Sequence, residues 1–116
     1  MSKLRIIARL QIHPGKLEEF KARAATVLSV VQDRCPGTLE YEWFLRSNQT
    51  ECIVLETFAS AEALLAHAEV IAEPARQLFA VSDLADMWLC GEPSAAVLER
   101  AAAFAPTLYA FLQGRH

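Results

Sequence analysis

Leu4, Ile6, Ala8, Leu10 and Ile12 are apolar at every second position, and no other stretch of the chain narrows its possible folds as far. A period of two is that of a β-strand with one buried face. The alternates Arg5, Ile7, Arg9, Gln11 and His13 are mixed in character. Pro14 and Gly15 break the extended pattern, and from Leu17 the period changes. Leu17, Phe20, Ala24, Leu28 and Val31 recur at three and four residues, with Val27 widening the stripe. That spacing predicts an amphipathic helix with one buried side. Glu18 and Glu19 in its first turn and Arg34 near its last suit the helix dipole, and Cys35-Pro36-Gly37 ends it. A one-sided helix following a one-sided strand implies a layered α+β fold. The strand's mixed face is then left for water, a ligand or a partner.

Two further strands are expected, Thr38 to Arg46 and Glu51 to Phe58, joined by the polar connection Ser47-Asn48-Gln49-Thr50. Ser60 caps a second helix carrying Ala61, Leu64, Leu65, Ala68 and Ile71 inward. Pro74 predicts an interruption there, with a short turn through Arg76, Gln77 and Leu78 at a new angle. Ser82 to Gly91 reads as a fourth strand, with Leu84, Asp86, Trp88 and Cys90 on one face. The order βαββαβ is the ferredoxin-like arrangement, an antiparallel sheet with helices on one side. It predicts the spatial order fourth, first, third, second. An alanine-rich helix from Pro93 or Ser94 through Phe104 follows, then a fifth strand over 107–112. That strand can lengthen its own sheet or cross to a partner. The expectation is one domain over 1–116, with a core at about 3–92 and a helix-strand extension at about 93–113.

Composition removes several function classes. The net charge is −3 and the eleven lysines and arginines form no cluster, so a nucleic-acid surface is not expected. No apolar run approaches the ~18 residues of a membrane span. Arg9 and Gln11 interrupt any secretory apolar region, and a cytoplasmic location is expected. Cys35, Cys52 and Cys90 form no C-x-x-C pair, and His13, His67 and His116 show no metal-ligand spacing. With no Gly-rich phosphate loop either, neither a metal nor a nucleotide cofactor is expected. The apolar fraction, 53%, exceeds what a small monomer needs and points to a buried subunit interface.

"IIARLQIHPGKLEEF", "CPGTLEYEWF" and "VLETFASAEALLAH", in that order and spacing, resemble the antibiotic-biosynthesis monooxygenase domain superfamily. The resemblance implies a homodimer whose two sheets pack face to face as a dimeric α+β barrel. It also implies a small-molecule cavity between each sheet and its own helices. Some members oxidise polycyclic phenols or quinols with molecular oxygen and neither metal nor flavin. A haem-degrading branch uses an Asn, a Trp and an axial His where this chain has Ala8, His67 and Gln77, so haem is not expected. Phe58 stands where many relatives carry Trp.

The candidate catalytic residues are His67 and Glu56. Glu56 alternates with Val54 and Phe58, so it shares their apolar surroundings and must be paired, hydrogen-bonded or protonated. His67 follows Leu64 by three on the helix, where an imidazole facing a cavity can take a proton from a phenol. Tyr41, Trp43, Trp88 and Phe58 offer flat surfaces for a small aromatic substrate. Arg9 either steadies an anionic oxygen or forms an ion pair at the interface, with Glu56 or Asp86 as partner. Each of these residues also has a plain packing role as its alternative. The expected activity is a cofactor-independent monooxygenase acting on a phenol or quinol. The alternative is a non-catalytic dimeric module that binds or protects a small molecule.

Overall fold

The computed structural model describes residues 3–115. Its elements are β1 (Leu4–Ile12), α1 (Leu17–Arg34), β2 (Thr38–Leu45), β3 (Glu51–Phe58), α2 (Ala61–Phe79), β4 (Ser82–Cys90), α3 (Ala95–Ala101) and β5 (Thr107–Tyr109). The five strands form one sheet in the order β2-β3-β1-β4-β5. β1 pairs antiparallel with β3 and β4, whereas β5 joins β4 in parallel, so the sheet is mixed. The β2-β3-β1-β4 portion is the ferredoxin-like order expected from two crossovers and a hairpin.

The period-two set of β1 buries as expected. Leu4, Ile6, Ala8 and Leu10 lie under the helices and meet Phe20 of α1 and Leu64 and Leu78 of α2 in two apolar clusters. Gly15 takes a positive φ of 76° in the turn before α1, a conformation that favours glycine. Gly37 serves a different purpose. A Cβ built there would lie 2.5 Å from Ala63 Cβ in the first turn of α2, so the missing side chain lets α2 approach the start of β2. Gly37→Ala is therefore expected to lower stability by about 1–3 kcal/mol through overpacking. Ala63→Gly in the same chain should recover part of the loss, as read by chemical denaturation.

Three expectations are corrected. α2 runs unbroken through Pro74. The proline removes one backbone donor, but Ile71 and Leu78 on either side face the same interior. On the solvent side Arg76 and Gln77 both bond Glu73 across the proline. The fifth strand is three residues long and joins its own sheet. In β4, Asp86 lies opposite Arg9 and Leu84 opposite Leu10, so Ala85 is an extra residue in a bulge. The bulge reverses the alternation beyond it. Met87 and Leu89 therefore share the helix-covered face with Ala8 and Ile6, and Trp88 shares the outer face with Ile7.

A smaller bulge in β2 does the same at Leu39, which is left half exposed while Thr38 pairs with Phe58. The outer face carries Ile7, Arg9, Ile53, Leu55, Phe44 and Trp88, and no helix among the described residues covers it. No helix among the described residues is long and apolar enough to cross a membrane.

Candidate active site

Between the sheet's inner face and α2 and α3 lies a cavity of about 370 Å³. β2 contributes Tyr41 and Trp43, β3 contributes Glu56 and Phe58, and α2 contributes His67. Strand alternation places the first four: Tyr41 pairs with Glu56 and Trp43 with Val54, so all point to the helix side. His67 enters from above, one helical turn after Leu64, because Ser60 fixes the start of α2 by accepting a hydrogen bond from the Ala63 N–H.

His67 is only 3% exposed and is held from three directions. The Tyr41 and Phe58 rings meet it edge-on at centroid distances of 5.0 and 4.9 Å. Thr38 Oγ1 is 2.9 Å from its Nδ1. Among the described residues Nε2 finds no hydrogen-bond partner, and Glu56 Oε1 lies 3.5 Å from it. Trp43 Nε1 is also buried without a hydrogen-bond partner among the described residues. An unpaired donor in an apolar site is costly unless something occupies the space in front of it.

Burial sets the protonation states. It pushes the Glu56 carboxyl up to about 8 and the His67 imidazole down to about 4. At neutral pH Glu56 therefore keeps its proton, His67 carries only its single ring N–H, and both groups are uncharged. If Nδ1–H donates to Thr38, the Nε2 lone pair is left facing the Glu56 carboxyl and the cavity. Burial, and next the nearby Glu56, also raises the Tyr41 phenol, which stays protonated.

These shifts have a consequence for stability. Glu56 is raised from 4.5, so the unfolded chain ionises first and stability falls as pH climbs from 4.5 to about 8. His67 is lowered from 6.5, so stability falls as pH drops from 6.5 to about 4. The two slopes oppose each other between 4.5 and 6.5, leaving a plateau. Above it the expected loss is about 1.4 kcal/mol per pH unit. Glu56→Gln should abolish that loss, as measured by urea denaturation at the plateau and at its alkaline side.

The structure thus gathers His67, Glu56, Tyr41, Trp43 and Phe58 around one cavity. Trp88 and Arg9 lie on the opposite face of the sheet. Arg9 donates from Nε to Asp86 Oδ2 at 2.8 Å and from Nη1 to Glu51 Oε2 at 3.0 Å, and it makes no contact with Glu56. Thr38 and the cavity residues Arg100 and Phe104 were not anticipated from sequence. Thr38 turns inward only because of the Leu39 bulge. No sequence signal marks where α3 docks. Among the described residues, no cluster of three or more His, Cys, Asp or Glu side chains could hold a metal ion.

The fold recurs in solved structures. MupZ from Pseudomonas fluorescens is similar over 100% of this chain and 95% of its own, with a TM-score of 0.89 and 22% identity. SnoaB, a cofactor-independent oxygenase from Streptomyces nogalater, is similar over 81% of this chain and 96% of its own, at TM-score 0.69 and 14% identity. A conserved protein from Methanosarcina mazei Go1 is similar over 77% and 91%, at TM-score 0.68 and 18% identity. At these identities the likeness establishes the fold. Comparison with curated protein sequences finds no match. The family model for antibiotic biosynthesis monooxygenases matches residues 4–70, more than half of the chain and the stretch that holds β1 through His67. The chain belongs to the antibiotic biosynthesis monooxygenase family.

Proposed function

We propose that the chain is a cofactor-independent monooxygenase that oxidises a small phenol or quinol held in the cavity between sheet and helices. One observation carries this reading: His67 Nε2, without a hydrogen-bond partner among the described residues, lies 3.5 Å from Glu56 Oε1 in an aromatic-walled apolar site, where burial favours a neutral imidazole and a protonated carboxyl. An uncharged imidazole with a free lone pair is the form that accepts a phenolic proton. The substrate anion then transfers electrons to oxygen, and a carbon–oxygen bond forms as a peroxide. Loss of the hydrogen on that carbon and cleavage of the O–O bond leave a carbonyl and water. One oxygen atom ends in each product. The two hydrogens of the water come from the substrate hydroxyl and from the oxidised carbon.

Glu56 can protonate the departing hydroxide and recover its proton from His67 across 3.5 Å. Trp43 Nε1–H can donate to an oxygen as charge develops on it. The apolar walls keep water from the anion. A non-catalytic binding module would leave these groups without a task. The test is oxygen uptake by the protein, with chelator present, on a panel of quinols and anthrone-like phenols under labelled oxygen. Uptake with one labelled atom in the product supports the reading, and no uptake across the panel overturns it.

The same reading includes a homodimer joined through the outer sheet face. Ile7, Ile53, Leu55 and Trp88 are partly buried there around the Arg9 ion pairs, and Phe44 is half exposed. Sedimentation at micromolar concentration should show a dimer, and a monomer would remove the interface.

A further inference from the structure

Apart from the Tyr41 phenol and the Trp43 indole N–H, the polar side chains lining the cavity fall at two places. One is the Glu56–His67 pair. The other is where exposed residues line it, Arg76 on α2 and Arg100 on α3. These two arginines differ. Arg76 is matched by Glu73, which accepts from its Nε at 3.1 Å and from its Nη2 at 2.9 and 2.7 Å. Arg100 forms no ion pair among the described residues. Among those residues its single hydrogen bond runs from Nη2 to the carbonyl of Ala68, at 3.1 Å.

That bond crosses from α3 to α2 and ends on the residue next to His67. An arginine near the end of a helix often serves the helix's own dipole. Arg100 instead reaches a carbonyl of another helix, which holds one edge of the guanidinium and leaves its other N–H groups uncommitted. Phe104, beside it in the lining, packs on Phe79 at a centroid distance of 6.4 Å and helps fix this part of the wall. α3 lies beyond the stretch matched by the family model.

We propose that Arg100 recognises a carboxylate at one end of the substrate, so that the cavity selects an aromatic acid over its neutral counterpart. The proposal rests on the cavity being a ligand site, as argued above, and adds the chemical class that it takes. A guanidinium presents a planar fork that fits a carboxylate in a bidentate manner. The aromatic body then lies along Tyr41, Trp43 and Phe58 toward His67.

Calorimetric titration with 2-naphthylacetate and the near-isosteric, neutral 2-naphthylacetamide tests this at neutral pH. The wild type should bind the acid about tenfold more tightly than the amide. Arg100→Gln should erase that preference by weakening the acid far more than the amide, Arg100→Lys should keep part of it, and Arg76→Gln should keep it whole. Equal affinities in the wild type, or a preference that survives Arg100→Gln, would overturn the role of Arg100 while leaving the cavity a ligand site. Failure of both ligands to bind would overturn the cavity reading with it.

Discussion

Oxygen uptake by the wild-type protein is expected to follow a bell with pH, rising through about 4 and falling through about 8. The acid limb marks His67 losing its proton and becoming a base. The alkaline limb marks Glu56 losing the proton that it must deliver. Both shifts arise from burial, so the limbs belong to the folded cavity and not to the free side chains. Glu56→Gln should remove the alkaline limb, because an amide does not titrate. His67→Ala should lower kcat/KM by about 10²–10⁴-fold, the usual worth of a positioned base, while ligand binding changes little. Steady-state rates across the pH range, with binding measured separately, check both. A profile unchanged in the two variants would mean that neither group handles the proton.

The largest stability effect is expected at Phe58. It is fully buried, lies opposite Leu4 of β1, and packs with Ile6, Leu64, Leu89 and Val97. Phe58→Ala removes a ring from the centre of that cluster and is expected to cost about 3–5 kcal/mol. Thermal unfolding should shift downward by on the order of 10–20 °C. Because Phe58 also walls His67 edge-on at 4.9 Å, the truncation should admit water and move the imidazole back toward its ordinary value of 6.5. A proton NMR titration of His67 reads that second effect. A stable variant whose His67 still titrated near 4 would show that other walls keep the imidazole dry.

Much of this arrangement was legible from periodicity. Leu4 through Ile12 alternate without a break, so β1 had to bury one face. The same rule placed Glu56 between Val54 and Phe58, and helical spacing brought His67 in from Leu64. Where periodicity failed, one residue was responsible. Ala85 bulges out of β4, and everything beyond it changes face, which is why Trp88 and the cavity part company. Leu39 does the same in β2 and turns Thr38 toward His67. A bulge leaves no mark on composition, since it follows from how two distant strands settle their register. Pro74 misled for the opposite reason. Local propensity argues for a break there, but the interior-facing residues on both sides of it keep the helix intact.

The Ala85 bulge also gives the molecule two optical reporters that watch different events. The chain has two tryptophans, and the bulge puts the indole of Trp88 on the uncovered side of the sheet while Trp43 lines the cavity. Emission from a Trp88→Phe chain would respond to whatever enters the cavity. Emission from a Trp43→Phe chain would respond to whatever settles on the sheet. Ligand entry and the proposed subunit association can thus be followed separately in one protein without attaching a dye.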